Sequence, residues 1–176
     1  MKNLTTTKIF VLLVGLISGI ISAQNITGKS AKITVAGTSP MHDWTMSSTA
    51  GSFSGTVSGN TIKNVKFSTA AKNLKSTKGK MMDNKAYAAL KADKNPTISF
   101  TASSIDIGNG NVTGKLTVAG ATKTVSFPVS VSKKGTSYHI NGKESMKMSD
   151  FGMQTPGFLG VKTGDAVTVT VSIVAN

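Results

Sequence analysis

The stretch KNLKSTKGKMMDNKAYAALKADKNPTISF, Lys72 to Phe100, decides how the chain reads, because it is the one place where period-two alternation stops. Ala86, Ala88, Ala89 and Leu90 are strong helix formers with no β-branched residue among them, so the segment reads as a short helix between strands. Asp83 or Asn84 is placed to cap its start. Asn95-Pro96 ends it, since the residue before a proline is pushed out of helical geometry and the chain is delivered into Thr97–Phe100 as a strand. Met82, Ala86 and Leu90 share one face. Lys72, Lys75, Lys78, Lys80, Lys85, Lys91 and Lys94 lie on the other, which makes a flap, apolar beneath and cationic above, across one end of a β structure. A surface connection with solvated lysines is the plainer alternative.

On both sides of the flap the pattern is that of strands. Asn25 to Val35 reads as a first strand, turned by Gly37-Thr38-Ser39-Pro40, and His42, Trp44 and Met46 then alternate with Asp43, Thr45 and Ser47. Phe53, Gly55 and Val57 continue, Ser58-Gly59-Asn60 is a tight turn, and Val65, Phe67 and Thr69 lie on one face of the next strand. Beyond the flap, Ile98, Phe100 and Ala102 are in phase but Ile105 and Ile107 have the opposite parity, so a bulge or bend is expected near Ser103-Ser104. Asn109-Gly110 is the strongest hairpin signal, leading to Val112, Gly114, Leu116 and Val118. A turn at Gly120-Ala121 precedes Val125, Phe127, Val129 and Val131, with Pro128 marking an edge or a break in the ladder. Tyr138 to Met146 forms a further strand, a loop runs from Ser149 to Gly164, and Val167, Val169, Val171 and Ile173 point inward from the last strand. Eight or nine hairpin-connected strands with Thr, Ser, Lys and Asn outside imply an antiparallel sheet closed into a barrel or folded into a sandwich in water. An outer-membrane barrel needs an apolar outer band and aromatic girdles, and the outward faces here carry hydroxyls instead.

Met1 to Ala23 reads as a cleaved leader: Lys2 and Lys8 ahead of an apolar core from Ile9 to Ile21, then Ser22-Ala23 before a cut at Gln24. The apolar run is shorter than the roughly 20 residues a spanning helix needs, so no stable membrane insertion is expected and the mature protein is periplasmic or secreted. Residues 24–176 then form a single domain with enough chain for a real core. There is no cysteine, which removes disulfides, thiolate chemistry and lipidation at the cut. Losing Lys2 and Lys8 lowers the formal charge from +13 to +11, and every positive side chain is lysine. Without arginine, the usual residue for bidentate phosphate and base recognition, nucleic acid is not an expected partner. Anionic surfaces or head groups remain open, beside the simpler role of lysines in solubility and edge protection.

Few residues suggest chemistry. His42-Asp43-Trp44 has the residue types of an acid–base site, but strand neighbours point to opposite faces, so Asp43 is poorly placed to orient His42. No G-x-S-x-G occurs, and the two histidines with Glu144 and six scattered aspartates show no metal-ligand spacing. No catalytic residue, metal or cofactor is expected; an enzyme using His42 or His139 is the outlying alternative. Met148, Phe151, Met153 and Phe158 in the late loop, with Met81, Met82 and Leu90 in the flap, make an adaptable apolar cluster that suits varied alkyl or isoprenyl chains or, equally, an ordinary core.

Four segments together resemble the YceI-like family of exported lipid-binding barrels: GTSPMHDWTM at 37–46, LKSTKGKMMDNKAYAALKADKNPTISF at 74–100, VTGKLTVAGATKTVSFPV at 112–129 and MKMSDFGMQTPGFLGVKTGDAVTVTVSIV at 146–174. The resemblance implies an all-β fold, an eight-stranded antiparallel lipocalin-like barrel with one short helical flap. It implies that the interior holds a long apolar molecule, a polyisoprenoid or a fatty-acyl derivative, without covalent chemistry. The expected lining is Trp44, Met46, Phe53, Phe67, Phe100, Phe127, Met148 and Phe151, with Leu90, His42 and the flap lysines near the opening. The tail would set affinity, at roughly 0.8 kcal/mol per buried methylene, and the lysines would steer an anionic head. The competing reading is a structural or protein-interaction barrel with a filled core, such as a stress-response accessory. The oligomeric state is open, a homodimer included.

Overall fold

The structure, a computed structural model, describes residues 23–158 and 160–176; all of the expected leader except Ala23 lies outside them. Strand β1 (Gln24–Gly37) is long enough to take two partners on one side. Its second half pairs with β2 (Trp44–Ser48), from Ile33↔Ser48 to Gly37↔Trp44, and its first half with β3 (Ser52–Ser58), from Gln24↔Val57 to Thr27↔Ser54. Together β2 and β3 fill one position in the wall. Next come β4 (Thr61–Ala70), the short β5 (Lys75–Ser76), helix α1 (Lys80–Ala89), β6 (Thr97–Asp106), β7 (Gly108–Val118), β8 (Ala121–Lys134) and β9 (Ser137–Lys147). A two-residue hairpin, β10 (Gly157–Phe158) and β11 (Val161–Lys162), precedes β12 (Ala166–Ala175). The order β12-β9-β8-β7-β6-β4-β3-β1 closes through β12–β1, giving an eight-stranded antiparallel barrel. Every ladder is antiparallel; β3–β4, β6–β7, β7–β8 and β8–β9 are joined by tight reversals, whereas β4 reaches β6 through the flap at 71–96 and β9 reaches β12 through the late loop at 148–165.

Alternation builds the interior. In β3, Phe53, Gly55 and Val57 are buried while Ser52, Ser54, Thr56 and Ser58 are not. The buried residues form two clusters: a far half around Ile26, Ile62, Val112, Val131 and Tyr138, and a half beneath α1 around Ile33, Met46, Leu74, Leu90 and Phe151.

Several local features differ from expectation. Helix α1 starts at Gly79, whose carbonyl accepts from Met82 and Asp83, rather than at a cap on Asp83 or Asn84. Asp83 lies in the first turn, buried, and accepts from the Ser76 N–H at 2.6 Å, so its carboxylate ties the helix to β5. The helix ends at Ala89, well before Asn95-Pro96. Lys91 takes a left-handed φ of 50°, its N–H bonds the Ala88 carbonyl and that of Ala92 bonds Tyr87, which is a Schellman closure with lysine in the position glycine usually holds.

Asn109-Gly110 is strand rather than turn. It pairs with Ser130 and Val129 inside an eleven-residue β7–β8 ladder, and the long ladder overrides the local turn preference. The reversal comes just before it, at Ile107-Gly108, where Asn60 bonds the Ile107 N–H and C=O and Gly108 has φ 122°. The next reversal is Ala119-Gly120, one residue earlier than expected, with both φ values positive as a type I′ turn requires. The irregularity expected at Ser103-Ser104 is shared by two strands. Val65 pairs with Ala102 and Ile62 with Ile105, both strands switch facing between those pairs, Asn64 takes φ 53°, and the β3–β4 register slips between Ser54 and Thr56. At Pro128 the ladder does break: β8 and β9 pair only from Val129↔Gly142 to Lys134↔Ser137, leaving residues 121–128 bonded to β7 alone and 143–147 to β12 alone.

Candidate functional site: an apolar cavity beneath the flap

The barrel is not filled. An interior cavity of about 210 Å³ runs through both halves, from Ile105, Val112 and Ile140 to Met82 and Pro156 at the flap. On β12 alone, Val167, Val169, Val171 and Ile173 all face it, roughly 20 Å of strand at about 3.3 Å per residue. An apolar cavity of about 150 Å³ already takes up a benzene-sized molecule, so this space is large enough for an apolar guest.

Glycines make the room. A Cβ on Gly37 would come within 2.3 Å of the Trp44 ring, one on Gly114 within 2.5 Å of Phe100, and one on Gly142 within 3.0 Å of Phe127. Each aromatic ring therefore lies down against a bare neighbouring backbone instead of standing across the barrel. Phe100 and Phe127 meet with centroids 5.3 Å apart at 55°, a tilted contact that fixes both. In the sequence nothing marks these glycines for this role except that Gly114 shares its parity with Leu116 and Val118.

Of the ten residues expected at the site, eight line the cavity: Trp44, Met46, Phe53, Phe67, Leu90, Phe100, Phe127 and Met148. Phe151 does not. It is 2% exposed within a 3-10 turn, Met148–Phe151, and packs in the core beneath α1. His42 is also elsewhere, exposed in a bend before β2; the strand starts only at Trp44 because Ser39 Oγ accepts from the His42 N–H at 3.2 Å and donates to its carbonyl at 2.7 Å. Trp44 is positioned by its indole N–H, which donates to the Thr38 carbonyl at 3.3 Å. Met82, Met146 and Met153 complete a flexible upper lining, while Met81 is exposed and the side chain of Phe158 lies outside the described residues.

The flap lysines act partly as fasteners. Lys72 pairs with Asp93 at 2.7 Å, Lys75 donates to the Tyr87 hydroxyl at 2.6 Å, and Lys85, at the cavity edge, donates to the Gly157 carbonyl at 2.8 Å and so joins α1 to the late hairpin. The late loop is held by Asp165, which accepts from the Ser149 N–H and hydroxyl; the Ser149 hydroxyl bond is the main cause of its lowered pKa. Glu144 is the one acid on the lining, and burial raises its pKa. Among the described residues no three His, Asp or Glu side chains come together as metal ligands, and no helix is long and apolar enough to cross a membrane.

The model of the YceI-like domain matches residues 24–175. The chain belongs to the YceI-like family. No curated protein matches it. Among solved structures, this YceI-like domain is similar to BcnA of Burkholderia cenocepacia at 20% identity and TM-score 0.71, over 83% of this chain and 96% of that one. It is similar to a polyisoprenoid-binding domain from Saccharophagus degradans at 10% identity and TM-score 0.71, over 86% and 97%. A Campylobacter jejuni YceI protein aligns over 99% and 97% at 19% identity and TM-score 0.54. At such identities the likeness carries the fold, and the lining belongs to this chain.

Proposed function

We propose that this YceI-like barrel binds and carries, or sequesters, a long hydrophobic small molecule of polyisoprenoid or fatty-acyl type without chemical turnover. The observation that supports this most is the interior cavity itself, apolar along both halves of the barrel and bordered by α1. The polyisoprenoid-binding structure from Saccharophagus degradans supports it from the family side. A chain buried there gains about 0.8 kcal/mol per methylene, while an exposed lysine contact to a head group offers about 0.2 to 1 kcal/mol, so the tail sets affinity. His42 supports no acid–base reading, since it is exposed and away from the cavity. The leader pattern at 1–23 supports export to the periplasm or beyond.

Loading tests the reading. Phe100→Lys and Phe127→Lys place an ammonium in the apolar interior and are expected to abolish uptake of an apolar fluorescent dye, while Lys115→Gln on the outer face leaves it unchanged. Equal loss in all three, or none in any, contradicts the assignment of the cavity as the binding site.

A further inference from the structure

Two polar groups on the cavity wall tie no other element of the fold in place. Glu144 is the only one of the seven acidic residues that lines the interior, sharing the inward parity of β9 with Ile140, Gly142 and Met146. It sits just past the point where the β8–β9 ladder stops, on the β9 side of the slot, with Phe127 the next inward residue on β8. Neither salt bridge among the described residues involves it, and its carboxylate accepts from its neighbour Ser145 N–H. Thr163 is the second. Its hydroxyl is buried on the same lining without a hydrogen-bond partner among the described residues. By contrast, Thr69 donates to the Ala50 carbonyl and Lys85 to Gly157.

Thr163 belongs to the flap half, and Glu144 lies at its lower edge, between Val169 of the cluster beneath α1 and Phe127 of the far cluster. Glu144 is paired with Val169, which packs in the cluster beneath α1, and the Thr163 N–H bonds Pro156 in the late loop. A buried hydroxyl without a partner and a carboxylate facing an apolar space each cost free energy unless something else satisfies them. We propose that Glu144 and Thr163 form a polar subsite in the flap half of the cavity that takes the hydrogen-bond-donating end of a long-chain ligand, an alcohol or an amine, while its tail fills the far half. A carboxylate ligand is repelled by Glu144, and an ester offers no donor. This rests on the cavity being a ligand site, and it adds the polar chemistry of that ligand.

The test uses the delipidated mature protein and four probes of one chain length: cetylamine, cetyl alcohol, methyl palmitate and palmitic acid, each competing with an apolar dye. Native protein should hold the amine and the alcohol about five- to tenfold more tightly than the ester, given a charge-assisted hydrogen bond at a partly wet site, with the acid weakest. Glu144→Leu should bring the four within about twofold while the ester binds as before. If Glu144→Leu does not fold, Glu144→Gln serves, and should remove both the amine preference and the acid penalty. Thr163→Val should weaken alcohol and amine but not ester. The native ranking retained in the Glu144 variants overturns the subsite and leaves the carrier reading standing. Failure of the native protein to bind dye or ester overturns both.

Discussion

Glu144 stands in a place that disfavours its charged form. Burial raises its pKa more than the Ser145 N–H lowers it. For a carboxyl group whose folded pKa is raised, the charged form opposes folding: stability is full below the unfolded value, near 4.5, and is lost as pH rises through the higher folded value. Glu144→Gln is therefore expected to raise the melting temperature at neutral pH and to leave it unchanged in acid below pH 4.5. Thermal melts at the two pH values check this, and an equal shift at both would mean that the effect is not the charge. The residue was legible in sequence only in retrospect. Its parity with Ile140 and Met146 places it inside, but an isolated glutamate in a strand normally marks the wet face. Phe100 and Phe127 were legible because period two reports facing directly.

Among the elements, strands are legible in the sequence and their ends less so. Strand identity is repeated in every second residue, whereas an end is decided by one or two dihedral angles. Lys91 closes α1 from the left-handed region, and a lysine gives no sign of it. Asn109-Gly110 carries the opposite error, a strong turn signal absorbed by a longer ladder. Gly120 shows what a turn position costs. With φ at 83° and the Asn95 carboxamide 2.6 Å from where a Cβ would stand, Gly120→Ala meets both backbone strain and a contact. Gly135 has φ 60° and open space, so Gly135→Ala meets strain alone. Left-handed strain is worth about 1 to 2 kcal/mol, and Gly120→Ala should exceed Gly135→Ala by a measurable margin in chemical denaturation. Equal losses would mean that the Asn95 side chain moves aside freely.

For the molecule as a whole, the barrel was legible and its emptiness was not. Hairpin spacing and outward hydroxyls imply a closed antiparallel sheet, but whether side chains plug it turns on the rotamers of a few aromatics. Trp44, Phe100 and Phe127 fold back onto glycines of adjacent strands, and that small local economy of volume leaves about 210 Å³ open. Phe151 and His42 show the limit from the other side: one lies behind the lining as support and the other in a bend outside it, because loop geometry, unlike strand alternation, has no period to read. On the carrier reading a long apolar molecule occupies this space in the cell. Mass spectrometry of an organic extract, made from mature protein purified gently from its own host, tests it directly. An isoprenoid or acyl compound in near-stoichiometric amount is expected; an empty extract, from protein that also fails to take up an apolar dye, would overturn the carrier reading.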